Sequence, residues 1–214
     1  FFFFLTEDGL LSDAEFGKFL DIITAFIFAY AITNPGVNAL RTPVYDEMVN
    51  IVNGGEVKFS KYKFNNTQAR TSFENYVLTH QQNATRSIIT WYAYTFSEHA
   101  PLGLNESFHL EHIYPKKRQQ MERGLKTEEN IELLGNKILL ESVINIKASD
   151  YRFEDKRKIY SGEQRRGNYK EPSKIAEIAK LTTYNEFGEQ QIIERNREIL
   201  DKFFDFINDE ELIA

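Results

Sequence analysis

The sequence contains no cysteine. Disulfides and thiolate-bound metals are therefore excluded, and the composition fits a reducing, cytoplasmic compartment. It also lacks a long apolar run. The longest, IITAFIFAYAI at 22–32, includes Thr24 and follows Asp21. That is shorter than the ~20 apolar residues that cross a bilayer, so the segment reads as a buried helix and no membrane association is expected. The opening FFFF has neither the charged region nor the small-residue cleavage site of a signal peptide. A first residue of Phe rather than Met leads us to expect a longer parent chain. Positive charge is in deficit: 26 Lys+Arg against 32 Asp+Glu give a formal net charge of −6. That balance argues against a generic nucleic-acid binder. There is no internal repeat.

What the chain does have is 214 residues that are 42% hydrophobic, enough for one sizeable core or a core plus a subdomain. Its charge is unevenly spread. Residues 116–170 hold 14 Lys+Arg against 9 Asp+Glu, an excess of five, which leaves −11 on the remainder. An acidic body with one basic segment points to a local surface for a polyanion; a solvated charged loop is the plainer alternative.

Periodicity predicts a mostly helical α+β chain. Residues 12–33 read as a helix capped by Ser12 or Asp13 and ended by Asn34-Pro35-Gly36. A second helix opens with Thr42 as N-cap and Pro43 in the first turn, with Val44, Met48 and Ile51 as its buried stripe. KFSKYKF at 58–64 is a short strand or an extended link. Helices follow at 68–81 and 84–97, with apolar faces from Phe73, Tyr76 and Val77 and from Ile88, Trp91, Tyr92 and Phe96. A loop at 98–106 marks the change to a second region. There SFHLEHI (107–113) has strand character, residues 114–130 read as a polar connection, and LLGNKILLE (133–141) reads as a turn and a strand. Helical turns at 142–149 and 151–160, a polar loop at 161–172, and helices near 173–180 and 188–207 complete the chain. Ile192, Ile193, Ile199, Leu200, Phe203, Phe204 and Ile207 supply the buried face of the last helix. The expected division is a helical support region at 1–105 and a second domain at 106–214.

The chemistry-bearing residues cluster in that second domain. Glu111-His112 ends the first strand, Asn136 opens the second, and Asn145 lies on the helix after it. A hairpin followed by a helix can bring such side chains to one point. Glu111 and the Asn145 amide oxygen suit a hard divalent cation such as Mg2+. His112 is then available as a general base, since an unperturbed imidazole titrates near neutrality. With cations nearby, the set points to phosphodiester hydrolysis.

At these residues the sequence resembles the HNH (His-Me finger, ββα-metal) nucleases. Leu-Glu-His-Ile-Tyr-Pro-Lys (110–116), Leu-Gly-Asn-Lys-Ile-Leu-Leu (134–140), and Asn145 followed by Phe153, Lys156 and Tyr160 resemble one branch in particular. That branch is the C-terminal HNH-like domain of GmrSD-type, type IV modification-dependent restriction endonucleases. Ile193, Glu194 and Arg197 also resemble that family's closing helix. The clear resemblance covers about residues 107–207, and the first half is similar to the linker region more loosely.

The resemblance implies a Mg2+- (or Mn2+-) dependent DNA endonuclease that leaves 5′-phosphate and 3′-hydroxyl ends. In it His112 activates water, with its other ring nitrogen held by a backbone carbonyl. Asn136 stiffens the loop, and Glu111 and Asn145 ligate the metal. Lys147 and Lys156 are candidates to neutralise the phosphate, and His109 is a further possible ligand. Lys116, Lys117, Arg118, Arg165 and Arg166 would grip the backbone. DNA is the implied partner, modified phage DNA among the candidates. A homodimer and an N-terminal ParB-like NTPase module are expected in such proteins, and nothing in this sequence resembles the module. Here the first ligand is Glu where many HNH enzymes have Asp or His.

The plainer readings are a polar strand end at Glu111-His112, a Gly-Asn turn at Asn136, local capping by Asn145 and solvated lysines at 147 and 156. Phe153 and Tyr160 read as packing residues, and His80 and His99 lie outside the motif. Two other function classes stand beside the nuclease. One is a non-catalytic DNA-binding or assembly module with a decayed centre. The other is a zinc hydrolase on His109, Glu111 and His112, whose spacing does not match the helical His-Glu-x-x-His arrangement.

Overall fold

Ser12 starts the first long helix with a reciprocal capping box. Its side chain accepts from the Glu15 backbone N–H, and the Glu15 carboxylate accepts from the Ser12 N–H at 2.8 Å. The computed structural model describes residues 5–6, 9–10, 12–36, 38–75, 82–96, 107–163 and 170–214. Within them the chain is mainly α, with short antiparallel strand pairs, β1 (Leu5–Thr6) with β2 (Gly9–Leu10) and β3 (Phe108–His112) with β4 (Lys137–Glu141). An α+β, mostly helical class is therefore what the chain adopts. It divides into two compact units, one of Phe1–Tyr76 with Asp201–Ala214 and the other of Val77–Leu200.

The first unit holds α1 (Asp13–Thr33), α2 (Arg41–Val52) and α3 (Asn66–Asn75). Ala25, Phe26, Ala29 and Ile32 make the buried face of α1. Phe26 stacks on Phe59 with centroids 3.6 Å apart, and Phe73 of α3 meets Phe203 and Phe204 at 5.3 Å each. The last segment joins this core through a parallel bridge between Phe64 and Ile213. Four expectations need correction here. The α1 segment is only partly buried, and the whole helix, at 21 residues, is long and apolar enough to cross a membrane by length and composition, a property core helices share. In α2 the cap position is Leu40, without a side-chain cap bond. The proposed stripe is not a buried one: Met48 is half exposed and Pro43 is the buried residue. Residues 58–64 form neither a strand nor a plain link but a 3-10 turn at Ser60–Tyr62.

The second unit is built on β3 and β4, whose register pairs Phe108 with Glu141 and His112 with Lys137. Ile138, Leu139 and Leu140 are buried, so β4 is an interior strand. α4 (Gln82–Tyr94) packs on it, with Ile88, Ile89, Tyr92 and Ala93 buried. After β4 the chain enters α6 (Ser142–Ala148) and α7 (Phe153–Tyr160), which pack together, with α6 also against both strands. Ser107 and Ser142 close the open end of the hairpin, the Ser142 N–H donating to the Ser107 carbonyl at 2.8 Å. The connection expected to be irregular contains α5 (Lys116–Glu122), then a 3-10 turn at Glu128–Glu132. α8 (Glu177–Leu181) and α9 (Glu189–Asp209) complete the elements. The face of α9 is as expected except at Ile193, which is 40% exposed. The positions Tyr76 and Val77, the loop 98–106, and His80 and His99 lie outside the described residues.

Arg195 of α9 fixes the entry to β4. Its guanidinium donates to the carbonyls of Leu134, Gly135 and Lys137 at 3.2, 2.7 and 2.8 Å, and to the Glu177 carboxylate. Both charged groups are buried. Gly135 lets the turn approach α9 closely, because a Cβ there would collide with the Ile192 carbonyl. Removing one member of a buried, multiply bonded pair costs ~3–5 kcal/mol because the other charge is left unpaired. Arg195→Met should lower unfolding free energy in urea by that order; a loss under ~1 kcal/mol would show that the cluster does not hold the hairpin.

Candidate active site

Successive strand residues face opposite sides, so Glu111 and His112 reach one cavity only because β3 ends there. The chain then turns through Ile113-Tyr114-Pro115, and Asn136 holds that turn. Its Oδ1 accepts from the Tyr114 N–H at 2.7 Å, and its Nδ2 donates to the carbonyls of Tyr114 and Ile131 at 3.0 and 2.9 Å. The Ile113 N–H donates to the Asn136 carbonyl at 2.9 Å. Asn136 is fully buried. Its side chain is spent on backbone, so it shapes the turn beside the site.

An open cavity of about 500 Å³ is lined by Glu111, His112, Lys116, Lys117, Asn145 and Lys156, among others. Lys156, on α7, is fully buried. Its ammonium donates to the Glu111 carboxylate and to the His112 carbonyl, the latter at 2.7 Å. Burial pushes Glu111 up and Lys156 down from their ordinary ranges, and each pulls the other back toward charge. Expected beside a phosphate, Lys156 instead neutralises Glu111 and secures the end of β3.

The Asn145 amide nitrogen lies 3.1 Å from Nδ1 of His109. Its Oδ1 is buried without a hydrogen-bond partner among the described residues. An orphaned amide oxygen is costly unless a ligand, water or ion completes it. Asn145 and Glu111 line the same cavity, so the two side chains carry oxygen donors of the kind Mg2+ or Mn2+ takes, with Oδ1 of Asn145 buried beside the cavity wall. This donor set fits a hard divalent cation. No group of three or more His, Cys, Asp or Glu able to hold a metal occurs among the described residues, which leaves the zinc alternative without a ligand set there.

His112 is held differently from expectation. Among the described residues no backbone carbonyl is bonded to its ring. Its Nε2 instead lies 3.6 Å from the Glu132 carboxylate. Glu132 is also paired with Lys116 and, at 3.0 Å, with Lys137. Burial, then the nearby Lys137 ammonium, brings His112 down to about 4, against a partial lift from Glu132. Burial raises Glu132, but its hydrogen bonds to Lys116 and Lys137 outweigh this and bring it to about 2. At neutral pH the imidazole is therefore neutral, the form a general base requires.

The basic residues fall in separate places. Lys116 and Lys117 line the cavity, and Lys117 pairs with Asp150 at 2.6 Å. Arg118 is turned to Glu122 and the Asp150 carbonyl. Lys147 lines a different cavity. Arg165 and Arg166 lie outside the described residues.

A family model described as GmrSD restriction endonucleases, C-terminal domain, matches residues 61–202. The chain belongs to this family. No curated protein and no solved structure matches it. Membership bears out the resemblance read at 110–116 and 134–140, and the matched segment starts well before the clear resemblance did, ahead of α3. It implies a nuclease role of the restriction type, with DNA as substrate. Within this GmrSD domain, Glu132 and Arg195 are the residues that sequence reasoning missed. For Arg195 a signal existed, a charge placed between Ile192 and Ile199 on the apolar stripe. For Glu132 there was none, because its role arises only when the 3-10 turn meets the end of β3.

The pH dependence of stability follows from the two depressed groups. His112 titrates at 6.5 when unfolded and about 4 when folded, so the unfolded chain takes the proton first. Its penalty is absent above pH 6.5 and grows as pH falls to about 4. Glu132 stabilises the fold above 4.5, and that contribution is lost as pH falls through about 2. Unfolding followed against pH should show stability falling below 6.5, with the upper part of the fall flattened in His112→Asn. An unchanged profile in that variant would contradict the buried neutral imidazole.

Proposed function

We propose that this domain is a Mg2+-dependent DNA endonuclease with a ββα-metal centre formed by β3, β4 and α6, and that His112 is its general base. The observation that supports this most is that one open cavity is lined by His112, whose imidazole is neutral, by Glu111 and by Asn145, whose amide oxygen has no partner among the described residues. Glu111 and Asn145 would hold the cation. When bound, Mg2+ (or Mn2+) supplies electrostatic stabilisation for the negative charge that grows on the phosphate in the transition state.

The chain's own residues do the rest. His112 removes a proton from a water molecule as its oxygen attacks phosphorus. The bond to the 3′ oxygen breaks, that oxygen takes a proton from solvent water, and His112 afterwards returns its proton to solvent, so that the products are a 5′-phosphate and a 3′-hydroxyl. Glu132 keeps the imidazole beside the cavity, and its own low basicity leaves the transferred proton on His112. Lys156 is a positioning residue that aims Glu111 and cuts the charge Glu111 offers a cation. Lys116 and Lys117, exposed at the rim, exchange their carboxylate partners for backbone phosphates.

The reading places the domain as the cytoplasmic effector half of a modification-dependent restriction protein. NTP dependence and the sensing of modified bases are then assigned to a ParB-like NTPase module elsewhere in that protein, with a homodimer as a way to cut both strands.

Plasmid and phage DNA, modified and unmodified, should be cleaved with Mg2+ or Mn2+ and not with EDTA. His112→Ala should slow cleavage by ~10²–10⁴-fold, the usual worth of a positioned base. Asn145→Ala should raise the Mg2+ concentration needed for half-maximal rate by ~10-fold or more, as ligand-shell losses do. Binding of DNA without cleavage under every metal would favour the decayed, non-catalytic module; full activity in His112→Ala would remove the base assignment.

A further inference from the structure

A second cavity, of about 600 Å³, lies along α6 and is lined by Val143, Ile144 and Lys147 together with Ser107, Lys170 and others. The same helix gives Asn145 and Ile146 to the first cavity. α6 is thus a ridge with a cavity on each side. Val143 and Ile146 lie one turn apart on it and are 64% and 71% exposed. Two aliphatic side chains offered to water beside a candidate metal ligand gain nothing for the fold.

The charges on the two sides differ in one respect. Around the first cavity Lys116, Lys117, Lys137 and Lys156 are each held by a carboxylate. Across the ridge, Lys147 and Lys170 are near enough to interact with each other. Neither has a carboxylate partner among the described residues. Glu141 lines this cavity too, but its oxygens are taken by the Ser173 hydroxyl at 2.8 Å and the Lys174 N–H at 2.6 Å. Glu171 and Lys174 complete the charged lining. Neighbouring ammonium groups repel, and an anion with several oxygens relieves that repulsion.

Resting on the endonuclease reading, we propose that Lys147 and Lys170 bind a backbone phosphate of the strand that is not being cut, so that duplex DNA straddles α6. Val143 and Ile146 form the crest between the two backbones. A minor groove ~6 Å wide admits aliphatic side chains but not a whole helix, and apolar residues inserted there are a known means of deforming DNA. The preferred substrate is therefore a duplex, since a single strand fills one side of the ridge only.

The test is binding of a short fluorescent duplex, and of one of its strands, to the full chain in EDTA, so that cleavage plays no part. Lys147→Ala/Lys170→Ala should weaken duplex binding about tenfold and lower the slope of log affinity against log salt by about 1, for the one phosphate contact removed. It should change single-strand binding less than about twofold. Val143→Ser/Ile146→Ser should weaken duplex binding with no change in slope. Unchanged duplex affinity in both variants, or equal losses on duplex and single strand, would overturn the proposal while Mg2+-dependent cleavage left the nuclease reading standing. So would a crest variant whose effect is on sedimentation of the DNA-free protein, because a second copy would then cover the ridge. A wild-type chain that binds no DNA at low salt would overturn the endonuclease reading and this proposal with it.

Discussion

A buried ammonium constrains the site more than any other group. Lys156 has no contact with solvent, and a charge so placed must be paired or lost. It is satisfied by the Glu111 carboxylate and the His112 carbonyl, which are consecutive residues at the end of β3. One side chain from α7 thus sets both the direction of the carboxylate and the position of the backbone that carries the imidazole. The turn beyond is closed by Asn136, and the strand opposite is gripped by Arg195. Buried polar groups engaged with the backbone give the hairpin a single geometry, and of the buried groups without a partner among the described residues, which include the Tyr160 hydroxyl and Oε2 of Glu177, Oδ1 of Asn145 and Nε2 of His112 belong to residues that line the cavity.

The division of labour among the charges is consistent with that view. Glu132 serves two lysines and the imidazole, and its low pKa makes it a steady anion. His112 is depressed because it is buried near Lys137, so its imidazole is uncharged at neutrality. On the proposed endonuclease reading, a base of low pKa abstracts protons weakly, which would leave most of the rate to polarisation of the attacking water and stabilisation of the phosphate. The exposed lysines at the rim sit in ion pairs that cost little to break in water.

The hairpin and its following helix were legible in the sequence because their signals are local. Strand alternation at 107–113, Gly135 before an apolar run, and the fixed order of Glu, His, Asn and Asn need no knowledge of the rest of the chain. α5 escaped because its buried residue is Gln119, which bonds the backbone of Leu125 and leaves no apolar period to read. α2 misled for the opposite reason: its stripe of Val44, Met48 and Ile51 is apolar, yet Met48 is exposed and Val44 and Ile51 are only part-buried. Lys156 looked like a surface lysine because nothing in its neighbours announces that α7 turns it toward β3. Glu132 and Arg195 take their roles from partners far along the chain. Contacts at long range decide such roles, and spacing alone does not encode them.

The central claim is that Glu111 and Asn145 offer a single hard cation a place beside His112. Crystals of the protein soaked in Mn2+ and measured at the manganese absorption edge test it most directly. One anomalous peak bounded by the Glu111 carboxylate and the Asn145 amide oxygen, and absent in Asn145→Ala, is the expected result. A peak at another site, or an empty cavity at saturating Mn2+, would contradict the account.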